Sequence, residues 1–470
     1  MGMMYHYFLF FLCLLFPIFF PLSCIANTQH KAKFPEISDD VPPSFYGQRA
    51  ISPSLPISNS KTLPLKQHAA IAQPIADKAT QSLPPKPIDI MPTIPIPLNR
   101  HELLLAKKAQ YYIDRNWNQQ TGLIDSVQGY HHSTMWDVAS GLAAILSLEG
   151  IGLYTEIEAT SKIRLTLHTL ERLPLYDERL PNREYDTHTA QPSGNYSSSS
   201  SKGNGWSALD IGRLLIWLEI TARHKPQFIS QITAIKTKWQ LSDIIKDKTL
   251  YGELKTSQHQ RYRQEGRLGY LQYAAQGLEL AGFDVSNAFQ PDHISSTIID
   301  NTIIYTDDRN LPYFTADPYV LNAIELGQTN AWWDQLIPLF HLHKNKSRQE
   351  RKLWIFAEDA MDRSPWFSYN NIYIYGKSWL STAPGGKPIE NPQIFSNKVA
   401  QGFSVIFYDD EFSQQLSQQI IDNSLAFRAI PTGLYKDNAP NTAFNINTNS
   451  LVLASLWYKH RNYAPLIIVH

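Results

Sequence analysis

Apolar residues recur at helical spacing through most of the chain from about residue 99 to its end. Patterns typical of strands are rare and cover only residues 372–375 and 403–407. Apolar residues three and four positions apart mark the buried face of an amphipathic helix. The spacing predicts helices over 101–115, 134–149, 156–172, 207–224, 227–247, 268–281, 317–326, 329–343, 348–361 and 449–460. Paired helices joined by loops of variable length predict an all-α toroid or solenoid.

Two segments before residue 99 differ from this body. Residues 1–26 contain an apolar run followed by small residues, which is typical of a cleaved signal peptide. The run has no preceding Lys or Arg, so an uncleaved N-terminal anchor remains the alternative. Residues 27–98 hold 13 of the 30 prolines and predict a disordered, extended tether that is dispensable for folding. The sequence therefore predicts a periplasmic or secreted protein, with a membrane tether if residues 1–26 are retained.

Charge and cysteine content exclude several classes of function. The 42 basic and 42 acidic residues cancel, so no basic surface for nucleic acid is expected. The only two cysteines, Cys13 and Cys24, lie in the predicted leader. A mature chain without cysteine has neither disulfides nor thiolate ligands. No phosphate loop, dinucleotide fingerprint or zinc motif occurs, and we expect no metal and no cofactor.

Two predicted helices begin with a tryptophan next to an acid. Trp136 precedes Asp137 in one, and Trp206 lies four positions before Asp210 in the other. An aromatic ring can cover the apolar face of a pyranose, while a carboxylate binds its hydroxyls or moves a proton. The two blocks therefore predict a sugar-binding pocket.

Helix capping is the alternative interpretation of these acids. Thr134-x-x-Asp137 and Ser207-x-x-Asp210 both have the form of a capping box. Arg213 falls on the same helical stripe as Asp210, so an intrahelical ion pair would account for both residues. Capping does not account for the tryptophan in each block.

Two glutamates are candidates for catalysis. Glu265 lies in a loop before a predicted helix, within the block Gln264–Tyr270, and could serve either in catalysis or as a cap. Glu358 lies near the end of the predicted helix 348–361, where negative charge opposes the helix dipole. An unfavourable charge at that position indicates a function. Asp317, before Pro318, is better interpreted as a helix start.

The order of these blocks resembles a bacterial envelope family known only as a domain of unknown function. The matching segments are Thr121–Ile124, Met135–Ser140, Gly205–Leu215, Glu265–Tyr270, Thr315–Leu321, Glu358–Ala360 and Asn447–Asn449. That family is in turn distantly similar to glucoamylase-like domains that act on bacterial β-glucans. Those domains are (α/α)6 toroids with a pocket at the N-terminal ends of the inner helices. The resemblance implies the same fold for residues 99–470, with minor β elements. It also implies that acids from separate segments meet in one cavity.

We therefore expect an exported carbohydrate-active protein, a glycoside hydrolase acting on a bacterial glucan or exopolysaccharide through two carboxyl groups. The expected site comprises Glu265 as acid, Glu358 as base, Asp137 as ligand or alternative base, Trp136, Trp206 and Tyr270 as stacking rings, and Asp210 with Arg213 as orienting groups. The alternative is a non-catalytic module that binds glycan or assists envelope assembly. Two ionisable carboxyls at an open cleft would favour the enzyme. Acids engaged in caps and arginine pairs would favour binding.

Overall fold

The computed structural model of the chain describes residues 88–193, 203–255, 260–384 and 386–470. The predicted leader, the tether as far as residue 87 and a run of five serines at 197–201 lie outside the described residues. The described part has eleven α-helices. They are α1 Arg100–Asn116, α2 Met135–Gly150, α3 Glu156–Arg172, α4 Ala208–His224, α5 Ile229–Lys238, α6 Tyr270–Leu280, α7 Asp317–Glu325, α8 Leu336–Glu350, α9 Asn397–Ile406, α10 Glu411–Ser424 and α11 Ile446–His460.

Short strands occupy many of the connections between these helices. They are β1 Ile88–Asp89, β2 His132–Ser133, β3 Leu175–Tyr176, β4 Leu180–Pro181, β5 Tyr185–Asp186, β6 Gly205–Trp206, β7 Ile245–Lys246, β8 Thr249–Lys255, β9 Gln260–Gln264, β10 Ile294–Ile299, β11 Thr302–Asp307, β12 Glu358–Ala360, β13 Phe367–Ile374, β14 Lys377–Thr382, β15 Gln393–Ser396, β16 Gly433–Tyr435, β17 Pro440–Asn441 and β18 Ile468–Val469. They form small antiparallel sheets, including β12-β13-β14, β15-β16-β17 and a β6-β8-β7 sheet that β9 joins through β8. The prediction of only minor β structure was therefore wrong in extent.

Six helices form a closed inner ring in the order α2, α4, α6, α7, α9 and α11, each contacting the next, with α11 returning to α2. Their sequences are apolar or small on almost every side. Helix α2 buries 14 of its 16 residues, whereas the outer helix α3 buries 6 of 17. A helix that is apolar all round must be enclosed by other elements.

The remaining helices lie outside the ring. Helix α1 packs on α2 and α11, α3 on α2 and α5, and α10 on α9. Between the inner helices α6 and α7, where the alternation calls for an outer helix, the chain forms a short 3-10 turn at Ser286–Phe289 and the hairpin β10–β11. The architecture is thus an alternation of inner and outer helices around one ring, with one outer helix replaced.

Close approach of α4 and α6 depends on glycine. A Cβ built on Gly277 would lie 1.9 Å from the carbonyl oxygen of Gly212, and one on Gly212 would lie 2.5 Å from that of Ala274. No larger residue fits at these two positions without moving the helices apart.

Several predicted elements differ from the structure, among them the helix predicted over 329–343, which begins only at Leu336 and continues to Glu350 as α8. The predicted helix 348–361 was wrong, because α8 ends at Glu350 and Glu358 begins strand β12. The argument from the helix dipole therefore does not apply to Glu358. Residues 403–407, predicted as a strand, belong mainly to α9. The predicted helix 227–247 ends at Lys238.

Residues 88–98, the end of the predicted tether, contact the body. Strand β1 pairs with β18 near the C-terminus, with Ile88 opposite Val469. The backbone of Ile96 bonds to the carbonyl oxygen of His460 at 2.9 Å and accepts from its ring at 2.8 Å. Within the described ranges, no helix is long and apolar enough to cross a membrane.

Truncation should distinguish the two parts of the N-terminal region. Removing residues 1–87 is expected to leave the melting midpoint of the body unchanged. Removing residues 1–98 also deletes the β1–β18 pairing and the bonds at His460, and should cost about 1–3 kcal/mol, since each hydrogen bond contributes about 0.5–1.5 kcal/mol. Thermal unfolding of the two truncated chains beside the full chain measures this. Equal midpoints for both would show that residues 88–98 add nothing to stability.

Candidate functional site

The N-terminal ends of neighbouring inner helices meet at one end of the ring. The Asn447 amide at the start of α11 donates to Asp137 Oδ1 at the start of α2 over 2.9 Å. Lys398 at the start of α9 pairs with Asp317 at the start of α7 over 2.7 Å. Because the N-terminal end of a helix carries partial positive charge, this end of the ring favours carboxylates. Of the four acids that were predicted to meet in one cavity, only Glu358 lines the cavity found here.

A small cavity at this end has a volume of about 20 Å³, which is about the space of one water molecule in this conformation. Glu358 is the one carboxylate among the described residues that line it. The lining residues are Leu209, Gly266, Arg267, Tyr270, Leu311, Tyr313 and Glu358. Of the predicted site residues, Glu358 and Tyr270 therefore share a cavity.

Strand β12, which carries Glu358, is held in place by buried charges. The Glu358 backbone N–H donates to Asp317 Oδ2 at 3.1 Å, and Lys398 Nζ donates to the Glu358 carbonyl at 2.5 Å. The same ammonium lies 3.5 Å from Asp359. Burial raises the pKa of Asp359 to about 6, and the Lys398 charge opposes that rise. These contacts fix the backbone at Glu358.

A second buried carboxyl group, that of Glu184, lies in the loop between β4 and β5. Glu184 is 3% exposed, and its Oε1 accepts a bond of 2.9 Å from the Tyr130 hydroxyl. Burial raises the pKa of Glu184 to about 7, and the charges of Asp137 and Asp210 raise it further against the Tyr130 bond. Its Oε2 has no hydrogen-bond partner among the described residues. The sequence analysis missed Glu184, because no motif marks it within the long loop 174–205.

Asp137 caps its helix, as the alternative interpretation predicted, whereas Ser207 caps α4. Asp137 Oδ2 accepts from the Thr134 backbone N–H at 3.0 Å, and Thr134 Oγ1 accepts from that of Asp137 at 3.3 Å. Ser207 Oγ likewise accepts from the Asp210 N–H at 3.3 Å. Asp137 and Asp210 also contribute to the electrostatic environment of Glu184. The capping role of Asp137 therefore coexists with its electrostatic effect on Glu184.

Glu265 is completely buried and engaged on both oxygens. Its Oε1 pairs with Arg183 at 3.1 Å, and its Oε2 accepts from the Ala208 backbone N–H at the first position of α4. A Cβ on Gly252 would lie 2.2 Å from that Oε2, so the carboxylate fills its space completely. This environment suits a cap and a structural ion pair better than a proton donor.

Glu265→Gln should therefore reduce stability more than it reduces chemistry. The amide keeps the shape but loses the charge opposite Arg183, and hydrogen bonds to charged groups contribute about 1.5–3 kcal/mol. We expect the free energy of unfolding to fall by about that amount, as measured by denaturant titration. An unchanged midpoint in denaturant would contradict this structural role.

The two tryptophans predicted to share a cavity lie in different aromatic groups. Trp136 is 4% exposed and contacts Tyr270, with ring centroids 5.8 Å apart. Trp206 is 1% exposed, donates to the Tyr251 carbonyl at 3.0 Å and packs beside Tyr176. Neither tryptophan is among the residues that line the cavity. Trp136 instead supports the cavity residue Tyr270 from behind.

Arg213 pairs across helices rather than only along its own. Its guanidinium lies 3.3 Å from Glu325 of α7, 3.1 Å from the Tyr273 hydroxyl of α6 and 4.5 Å above the Trp136 ring. It also reaches Ser140 Oγ at 3.5 Å, which donates to Asn447. Burial raises the pKa of Glu325 against the Arg213 charge. This network links the inner helices below the end where the acids lie. Arg213 therefore has a structural role, where an orienting role in the pocket was predicted.

Histidines near this end do not form a metal site. Within the described part of the chain, no group of three or more His, Cys, Asp or Glu side chains is arranged to hold a metal ion. His131 binds Asp125 at 2.8 Å, and His132 binds Ser193 at 2.7 Å.

Solved structures share this architecture at low sequence identity. A candidate glucoamylase from Bacteroides caccae has a TM-score of 0.54 at 12% identity, over 78% of this chain and 96% of its own. An endo-β-1,2-glucanase from Chitinophaga pinensis, in complex with sophorotriose and glucose, has a TM-score of 0.52 at 11% identity, over 78% and 95%. A β-1,2-glucanase from Parabacteroides distasonis has a TM-score of 0.50 at 11% identity, over 77% and 56%. At this identity the likeness shows the fold, which is the predicted glucoamylase-like (α/α)6 toroid.

Comparison with curated protein sequences gave no match. The model of one family, described as "Protein of unknown function (DUF3131)", matches residues 104–462. That match spans the ring from α1 to the end of α11 and includes Asp137, Glu184 and Glu358. The suspected resemblance is thus confirmed, and the chain belongs to the DUF3131 family.

Proposed function

We propose that this protein is a glycoside hydrolase acting on a bacterial glucan. The observation that carries the proposal is the cavity at the N-terminal end of the inner helices, where Glu358 lies among Tyr270, Tyr313 and Arg267. Aromatic rings beside a carboxylate can bind a sugar, and glycoside cleavage uses such a carboxylate as one of two carboxyl groups. The solved structures of similar fold that are β-1,2-glucanases make linear β-1,2-glucan the first substrate to test.

Glu184 and Glu358 are the two carboxyl groups that we assign to the chemistry. With a pKa near 7, Glu184 is largely protonated below neutral pH and could donate a proton to the leaving oxygen. Glu358, as an ionised base, would remove a proton from the attacking water. Asp137, Asp210 and Trp136 then belong to the supporting structure, and Tyr270 and Tyr313 supply the stacking surface.

A non-catalytic glycan-binding or envelope-assembly module is the second candidate. It is favoured by the engagement of Asp137 and Glu265 in caps and an arginine pair. In that case the cavity binds polymer without turnover. Incubating the full chain with α- and β-glucans, and measuring both released sugar and retained glycan, separates the two. Release supports the enzyme, whereas retention without release supports the binding module.

The place of action is part of the same proposal. A leader at residues 1–26 and a proline-rich tether would put the domain in the periplasm or outside the cell, where a polysaccharide or oligosaccharide is its partner. Nucleic acid is not an expected partner for a chain with no net charge.

The raised pKa of Glu184 predicts that activity and stability of the wild type both fall as the pH rises towards neutrality and beyond. If Glu184 is the acid, the rate should fall as pH rises through about 7. A carboxyl with a raised pKa binds its proton more tightly in the folded state, so its contribution to stability is greatest below about 4.5 and is lost as pH rises to about 7. A shift of that size corresponds to about 3 kcal/mol. Rates and melting midpoints measured across this range test both trends.

Glu184→Gln is the matching variant. Its rate of hydrolysis should no longer fall as the pH rises through about 7. It should also be more stable than the wild type above that pH, because no buried charge then forms. A Glu184→Gln protein that hydrolyses glucan with the wild-type pH profile would remove Glu184 from the mechanism.

A further inference from the structure

Arg267 is a half-buried cation on the wall of the cavity whose hydrogen bonds all go to neutral groups. Its Nε donates to the Asn310 carbonyl at 2.9 Å, and its Nη1 donates to Gln264 Oε1 at 2.8 Å and the Gly266 carbonyl at 2.7 Å. Among the described residues it has no ion pair with a carboxylate. Burial lowers the pKa of Arg267, and the charge of Asp307 opposes that lowering only in part.

The neighbouring arginines are already matched to acids. Arg183 pairs with Glu265 at 3.1 Å. Arg309 forms a two-point pair with Asp307, with its Nε 2.8 Å from Oδ1. Asp307 and Glu265 are therefore committed to other guanidinium groups, while Arg267 remains at the cavity.

The remaining nitrogen of Arg267 is the donor that a ligand could use. No hydrogen bond of Nη2 is among those of the described residues, and the side chain lines the cavity together with Glu358 and Tyr270. Helix α6 begins at Tyr270, three positions after Arg267, and its N-terminal end adds partial positive charge.

We propose that Arg267 forms a subsite for an anionic group, a carboxylate or a phosphate, carried by the sugar that occupies this cavity. The inference rests on the proposed function in one respect, namely that the cavity holds sugar. The arginine side chain is well suited to both anions because its planar guanidinium can form two parallel hydrogen bonds to a carboxylate or a phosphate. Such charge-assisted bonds are roughly twice as strong as neutral ones. The substrate class then narrows from glucans in general to glucans that bear acidic substituents.

Binding of three simple probes tests the subsite without any requirement for turnover. Glucose, glucuronate and glucose 6-phosphate are titrated calorimetrically into the full chain. At least one anionic sugar should bind about tenfold more tightly than glucose, and the larger gain identifies carboxylate or phosphate as the preferred group. Arg267→Gln should abolish the gain, whereas the exposed Arg263→Gln should keep it. Added salt should reduce it.

Equal affinity for all three probes would overturn the inference, as would no binding of either anion, or an anionic preference that persists in Arg267→Gln. If Arg267→Gln does not fold, two measurements still test the subsite. They are the affinities of the three probes for the wild type and for Arg267→Lys, because lysine keeps the charge but lacks the planar guanidinium. Cleavage of neutral glucans without any anionic preference would leave the proposed function standing while the subsite fails.

Discussion

Glu358→Gln is expected to lower the rate of glucan hydrolysis by roughly 10²–10⁴-fold, the usual contribution of a general acid or base. Glutamine keeps the shape of the side chain and leaves the backbone bonds to Asp317 and Lys398 intact, but cannot accept the proton. The fold should therefore persist. Steady-state rates and melting midpoints measured on the same preparation separate lost chemistry from lost structure.

Glu390→Gln is a suitable control, because Glu390 is an exposed carboxylate away from the cavity lining. It should retain the wild-type rate. Wild-type hydrolysis by Glu358→Gln would exclude Glu358 as the base and would leave Asp137 as the next carboxylate to substitute.

Arg213→Met is expected to lower the free energy of unfolding by about 3–5 kcal/mol, the cost of breaking a buried ion pair from one side. The change leaves the buried Glu325 without the guanidinium 3.3 Å away and removes the cation that lies over Trp136. Denaturant titration measures the loss.

Arg223→Met provides the matched control on the same helix. Arg223 pairs with Glu219 one turn away at the surface, where ion pairs contribute about 0–1 kcal/mol. The double variant Arg213→Met with Glu325→Leu should recover part of the loss, since it leaves no unpaired buried charge. A small effect of Arg213→Met alone would show that the network does not brace the ring.

Five of the six inner helices could be predicted from the sequence because their apolar residues recur at helical spacing, whereas part of α9 was predicted as a strand. Strand β12 could not be predicted, because the apolar run Trp354–Ala357 before Glu358 fits a buried strand or a helix equally well. The sequence analysis predicted no element between α6 and α7, where the hairpin β10–β11 takes the place of an outer helix. Tertiary packing determines whether such segments form a helix or a strand.

Of the residues predicted for the site, Glu358 and Tyr270 line the cavity, whereas Glu265 and Trp206 are engaged in structural contacts. Asp137 and Glu358 were identified because they lie beside motifs. Glu184 was missed because its raised pKa arises from burial and from acids distant in the sequence, a property that no local pattern shows. Trp206 was assigned to the pocket because a sequence cannot distinguish a core tryptophan from a stacking one.

A crystal structure of Glu358→Gln soaked with a β-1,2-linked gluco-oligosaccharide would test the central claim most directly. We predict a sugar ring against Tyr270 and Tyr313, with the side chain at position 358 within hydrogen-bonding distance of the sugar. Sugar bound elsewhere on the protein, with the cavity between α4, α6 and β12 empty, would contradict the assignment of this cavity as the functional site.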